Sequence, residues 1–326
     1  GALAVENAMK TAMDWKVRKN LARGKGEVGT QILHFEKAFH GRSGYTLSVT
    51  NTDPAKTLYF PKFDWPRVAA PAASFPLTGK NLAQTEELEQ RSLAAVEQAF
   101  QERPDQIAAI LIEPIQGEGG DNHFRAEFLR GLRRIADERE ALLIYDEVQC
   151  GGGTTGKWWA HQHFGAAPDL LCFAKKLQVG GFFASRRIDD VDNVFKVPSR
   201  ISSTWGGSLT DMVRATRILE VIEEERLLDN AASRGDELLS GLEALQAEFP
   251  DLLSNARGRG LFCAFDVESP EERSELVKHC FSERLLVLAG GTRTVRLRPP
   301  LVVRADEVAE ALRRLRSSLS RRAKAR

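Results

Sequence analysis

Three short apolar runs, each followed within two residues by an ionisable one, limit what this chain can fold into. They are Ile107–Ile112 (IAAILI), 142–145 (LLIY) and Leu170–Phe173 (LLCF). Helical spacing separates them: Leu93, Val96 and Phe100 lie before the first run, and Phe128, Leu132 and Ile135 before the second. Continuous apolar strands alternating with amphipathic helices predict βαβ units and a parallel sheet covered on both faces. Such a sheet binds ligands beyond the carboxyl ends of its strands. The residues just past each run are therefore the first candidates for chemistry: Glu113, Asp146 and the pair Lys175-Lys176.

The second half has a different rhythm. Helices are expected over 209–226, 231–247 and 271–282, a strand-containing segment over 258–267, and strands over 285–288 and 294–297. A closing helix carries Val308, Leu312, Leu315 and Leu319 on one face. The fold class expected is α/β, a mostly parallel large domain over 1–219 with a smaller α+β domain over 220–326. With 326 residues, two domains of this size each have enough chain for a core. The basic tail 321–326 reads as a solvated end. The chain opens on Gly1-Ala2-Leu3, without Met, directly in a helical pattern, so an upstream segment is expected.

Composition excludes several function classes. Lys plus Arg total 46 against 45 Asp plus Glu, a net charge of +1, so there is no electrostatic case for nucleic acid or an anionic membrane surface. No apolar run reaches the ~18 residues of a membrane span. The four cysteines, Cys150, Cys172, Cys263 and Cys280, form no CxxC pair. A disulfide scaffold and a structural metal site are not expected, and the reducing cytoplasm is the expected compartment. No signal peptide is expected.

An acid after one strand and a lysine after the next share one sheet edge. These are the two protein groups that pyridoxal phosphate requires, a carboxylate for the ring nitrogen and a lysine for the aldehyde. A structural ion pair is the bland alternative, and the neighbouring residues weigh against it. Gly151-Gly152-Gly153 follows the Asp146 strand, Phe39-His40-Gly41-Arg42 combines a stacking ring with a carboxylate-binding guanidinium, and Ser202-Ser203-Thr204 forms a hydroxyl-rich turn. Two more carboxylates, Glu113 and Glu118, lie on the loop after the first strand.

The motifs AFHGR, EPIQGEGG, LLIYDEVQ, PDLLCFAKK and STWGG occur in an order that resembles class III aminotransferases, pyridoxal-phosphate enzymes of fold type I, across essentially the whole chain. GALAVENAMK, FHGRSGYTLSVTNT and FPKFDWPR further resemble the bacterial L-lysine 6-aminotransferase group. Eukaryotic 4-aminobutyrate aminotransferases share EGGDNH and GRGLFCAFD but carry a CxxC iron–sulfur motif; the matching stretch here is Gly1-Ala2-Leu3-Ala4, so no cluster is expected.

The resemblance implies a role for each matching residue. Lys175 carries the cofactor, Asp146 pairs with its ring nitrogen, and Gln149 reaches its ring hydroxyl. Val148 and Phe39 cover the two ring faces. Gly1 and Ala2 match a phosphate-holding turn, and Thr204 matches a phosphate ligand donated by the second subunit of a homodimer. Arg42 matches a substrate-carboxylate clamp, and Arg296 a second arginine for the 2-oxo acid. Glu118 resembles a glutamate that covers this second arginine, and Glu113 lines the same pocket. Counting forward from the Asp146 strand selects Lys175, while counting back from Gly180-Gly181 selects Lys176; alignment with relatives that have two lysines favours Lys175. Thr154 stands where many members have Arg, and Cys150 where Thr is commoner.

The implied reaction moves the terminal amine of L-lysine to 2-oxoglutarate. Another ω-amino acid such as 4-aminobutyrate is the alternative donor, and a non-catalytic relative a more distant one. Several attractive residues read as structural: His40 as a turn or ring neighbour, His161 and His163 as non-ligands, Asp169 as a strand opener, and Trp15, Trp65, Trp158 and Trp159 as packing.

Overall fold

The computed structural model describes residues 1–325. Helix α1 (Ala2–Ala22) leads to strand β1 (Gln31–Phe35), the short helix α2 (Gly44–Val49) and strand β2 (Arg67–Val68). Helix α3 (Gly79–Glu102) precedes β3 (Ile107–Ile112), the small hairpin β4 (Ile115–Gln116) and β5 (Asn122–His123), helix α4 (Ala126–Glu138) and β6 (Leu142–Asp146). Strands β7 (Leu170–Phe173) and β8 (Gly181–Ala184) complete a six-stranded sheet in the order β2-β1-β3-β6-β7-β8. Every pairing in it is parallel except β7 with the edge strand β8.

The apolar runs alternate between two cores. Leu111, Leu142, Ile144 and Leu170 pack with Val5, Met9 and Trp15 of α1. Ile110, Ile112, Leu143 and Tyr145 pack with Val96 and Phe100 of α3 and with Phe128 and Leu132 of α4. Both faces are thus covered, which is why β3 and β6 are apolar at almost every position. At ~25 cal/mol per Å² of apolar surface, this two-sided burial supplies the main drive for the sheet.

The remaining elements are α5 (Leu209–Glu224), α6 (Leu227–Glu248), β9 (Ser254–Arg259), β10 (Phe262–Asp266), α7 (Pro270–Ser282), β11 (Leu288–Gly290), β12 (Thr294–Leu297) and α8 (Ala305–Ala325). Strands β11-β12-β10-β9 form an antiparallel sheet with its own core, including Leu238, Leu242, Phe265, Val295, Leu315 and Leu319. The expected domain boundary at 219/220 falls inside α5.

Several expectations shift. The strand expected over 285–288 is a connection: the Leu285 amide donates to the Cys280 carbonyl and closes α7, and the strand begins at Leu288. Arg226, with φ of 52°, separates α5 from α6, so the second helix starts four residues earlier than expected. The tail is helical through Ala325, with Arg321 paired to Glu283 and Arg322 to Glu272; Arg326 lies outside the described residues. Among the described residues no helix is long and apolar enough to cross a membrane.

Candidate active site

A cleft of about 310 Å³ opens beyond the carboxyl ends of the parallel strands, within the usual size range of small-molecule sites. It is lined by residues after β1 (Phe39, His40, Gly41, Arg42), after β3 (Glu113, Glu118), at the end of β6 (Asp146, Val148, Gln149) and after β7 (Lys175), with Gly1 and Ala2 from the start of α1. Ten of the twelve expected site residues therefore line one cavity. Arg296 joins them through Glu118, and Thr204 stands apart, exposed in the 202–207 turn.

Asp146 is the last residue of β6 and is buried. Its Oδ1 accepts the Val148 amide at 3.0 Å, and its Oδ2 lies 2.8 Å from His40 Nδ1. The ring of His40 is buried too, fixed by its own amide donating to Thr50 Oγ1 at 2.9 Å. With its Nδ1 protonated, His40 donates to Asp146 and orients the carboxylate in the cleft wall. The sequence marks His40 as a turn or ring neighbour and gives no sign of this contact, because the histidine and the carboxylate lie 106 positions apart.

Lys175 and Lys176 diverge. Lys175 has φ of 48°, a left-handed conformation uncommon for a residue with a side chain. That turn directs Lys175 into the cleft, while Lys176 Nζ is drawn under the neighbouring loop to donate to the Gln149 carbonyl at 2.5 Å. Burial lowers the Lys176 ammonium to about 8. Lys176 is thereby tied to the loop that carries Gln149, and Lys175 alone of the pair lines the cleft.

Glu113 fastens two walls together. Its Oε1 accepts the Phe39 amide and its Oε2 the Gly117 amide, each at 3.0 Å. Burial pushes its carboxyl up to about 7; His40 opposes the rise and Asp146 adds to it. A Cβ at Gly117 would sit 1.6 Å from Gln149 Oε1, so a side chain there would push the Gln149 amide out of its place. That oxygen is buried and has no partner among the described residues. An unpaired buried oxygen costs about 1–3 kcal/mol, so Gln149 Oε1 suits a ligand group that donates to it.

Glu118 Oε1 accepts from Arg296 Nη2 at 2.6 Å, and Arg296 is mostly buried on β12. Burial favours the neutral acid, but Arg296 and then Lys56 overcome it and hold the Glu118 carboxyl below its ordinary value. Arg42 is exposed at the cleft rim, and a guanidinium there is able to take a carboxylate with two hydrogen bonds. His161 and His163 serve the scaffold: His161 Nδ1 lies 2.9 Å from the buried Glu147, and His163 Nε2 lies 3.1 Å from the Thr155 carbonyl. Asp169 is likewise structural, accepting from Arg133, Arg187 and the Leu143 amide. Trp15 is fully buried, its indole donating to the Arg187 carbonyl at 3.1 Å.

These residues fit pyridoxal phosphate. The cleft offers a lysine, a buried carboxylate held by a histidine, an unpartnered amide oxygen and a helix N-terminus whose free amides suit a phosphate.

Comparison with known proteins gives the same direction. The aminotransferase class-III family model matches residues 1–319. The L-lysine-epsilon aminotransferase of Mycobacterium tuberculosis is 53% identical over 321 residues, covering 98% of this chain and 71% of the relative. The mitochondrial 4-aminobutyrate aminotransferase of Sus scrofa is 36% identical, over 93% of this chain and 64% of that protein. A solved structure of lysine aminotransferase from M. tuberculosis, in its internal aldimine form, superposes with a TM-score of 0.95 at 52% identity, over 98% of this chain and 73% of the other.

Proposed function

We propose, from the premise that this chain belongs to the class III aminotransferase family, that it moves the terminal amino group of L-lysine to 2-oxoglutarate. The products are 2-aminoadipate 6-semialdehyde and glutamate. Members of this family use pyridoxal phosphate, whose protonated ring accepts the electron pair released when a carbon–hydrogen bond beside the amine breaks.

In this reading Lys175 takes the aldehyde end, Asp146 faces the ring nitrogen and Gln149 the ring hydroxyl. Phe39 and Val148 cover the ring faces. The amides at Gly1 and Ala2 hold the phosphate together with Thr204 from a second copy of the chain, so the active unit is a homodimer. Its proposed location is the cytoplasm. The stretch 1–219 serves as the cofactor-binding part and 220–326 as the smaller C-terminal part.

Lys175 Nζ removes the proton from the lysine carbon that bears the terminal amine. His40 keeps Asp146 aimed at the ring, and Glu113 keeps Phe39 in place. Arg42 grips the distant α-carboxylate of the donor. Arg296 must stay covered while lysine is bound and become free when 2-oxoglutarate brings a carboxylate close to the reacting carbon. The observation that carries this reading is the ion pair between Glu118 and Arg296 at the cleft that holds Lys175 and Asp146. A site with this cover suits a donor whose near end has no carboxylate, since a buried guanidinium left unpaired is costly.

Lysine labelled with ¹⁵N at either nitrogen tests it. The terminal label should appear in glutamate and the α label should stay in the semialdehyde product. Transfer of the α label, or a higher kcat/KM for 4-aminobutyrate than for lysine, would overturn the lysine assignment.

A further inference from the structure

Glu118 contacts two cations at once. Its Oε1 takes Arg296, and its Oε2 lies 3.3 Å from Lys56 Nζ. Lys56 comes from the loop after α2, and its ammonium also lies over the Phe39 ring, 5.1 Å from the centroid. We propose that Lys56 is the cation to which the Glu118 carboxylate transfers when a dicarboxylate substrate takes Arg296. Lys56 thereby sets how readily the site accepts a 2-oxo diacid after an amine donor. This inference rests on the aminotransferase reading above and names a residue that acts through Glu118, a positioning residue.

The backbone around Glu118 is held at several points. The Gly117 amide donates to Glu113, and the Gly291 amide donates to the Glu118 carbonyl at 2.9 Å. The Gly120 carbonyl accepts from Arg257 Nη2 at 2.7 Å. Gly119 lies so close to the Lys37 carbonyl that a Cβ would come within 1.9 Å of it. A loop fixed on both sides cannot carry Glu118 away from Arg296 as a body, so uncovering Arg296 falls to rotation of the Glu118 side chain.

A rotating carboxylate needs a destination. Glu118 is only partly exposed, and a half-buried carboxylate that lost Arg296 without a replacement would pay desolvation with no compensating charge. Lys56 is already within reach of the other oxygen. The exchange conserves charge pairing. Before it, Glu118 bridges Arg296 and Lys56; after it, Glu118 pairs with Lys56 and Arg296 pairs with the substrate carboxylate. The contact of Lys56 with the Phe39 face holds the ammonium beside the cleft instead of letting it drift into solvent.

Binding of glutarate, a dicarboxylate that does not react, tests the proposal in the pyridoxal-phosphate-loaded dimer. Isothermal titration should show glutarate binding about tenfold weaker in Lys56→Met than in wild type, with most of the affinity restored in Lys56→Arg. In single-turnover measurements, Lys56→Met should weaken the 2-oxoglutarate half-reaction mainly through its concentration dependence, and by a larger factor than the lysine half-reaction. In a Glu118→Gln background, where no carboxylate needs a receiving cation, adding Lys56→Met should change glutarate binding less than twofold. Equal losses in both half-reactions, or an undiminished effect of Lys56→Met in the Glu118→Gln background, would overturn the proposal, the first indicating a general packing role and the second direct contact with substrate. Failure of the wild-type holoenzyme to exchange an amino group with either substrate would instead overturn the aminotransferase reading.

Discussion

The two sheets meet the cleft in different ways. The six-stranded parallel sheet presents its ends: Asp146 closes β6, Glu113 follows β3 and Lys175 follows β7 by two residues. The four-stranded antiparallel sheet presents a side chain from within a strand, Arg296 of β12. Strand ends in a parallel sheet free the backbone for loops that hold chemistry, while the strand interiors are committed to two cores. An antiparallel strand lends one residue from its face and keeps the pairing intact. In the function proposed above, the parallel sheet supplies the reacting groups, and the antiparallel sheet supplies the carboxylate-binding arginine and the anchor for its cover.

The contrast predicts that substitutions in the two regions fail differently. Asp146→Asn should cut turnover about 10³-fold, since the amide cannot hold a protonated ring nitrogen and its contact with His40 is weakened. The melting temperature of the protein should move little. A variant with turnover within tenfold of wild type would place the ring partner elsewhere.

Arg257→Met should show the opposite pattern. Arg257 is buried on β9, pairs with Asp266 at 2.8 Å and donates to the carbonyls of Gly120 and Asp121. Its loss leaves the buried Asp266 carboxylate without its cation, held only by Asn255 and Thr294 among the described residues, and frees the loop behind Glu118, at about 3 kcal/mol of stability. Denaturant unfolding should show that loss, and the surviving folded protein should retain the lysine half-reaction better than the 2-oxoglutarate one. An unchanged unfolding midpoint would break the comparison.

The difference between the regions also explains what the sequence makes legible. Strands β3 and β7 match the apolar runs residue for residue, and β6 extends its run by one residue, Asp146. Both faces of these strands are buried, so the apolar signal is unbroken, and the chemistry follows directly after it. Strand β1 (QILHF) is interrupted by polar residues, and edge strand β8 (GFFA) offers only two phenylalanines between small residues, so neither gives a strand signal. Strand β11 is displaced from its expected place because Leu285 and Val287 are apolar for packing in a connection. Arg296 lies in TVRL, a short strand buried at all four positions, where no apolar pattern singles out the arginine, and only the family resemblance marks it. The contacts of His40 with Asp146 and Lys56 with Glu118 join segments far apart in sequence, and no spacing rule encodes them.

In the proposed function the turn after β7 delivers Lys175, and not its neighbour, to the cofactor. Borohydride reduction of the loaded enzyme followed by peptide mapping tests this directly, with Lys176→Met as a control. The pyridoxyl group should sit on Lys175 in both wild type and Lys176→Met, with activity in that variant within about tenfold, the scale of one charged hydrogen bond lost to the Gln149 carbonyl. A pyridoxyl group on Lys176, or no labelling once Lys176 is replaced, would contradict it.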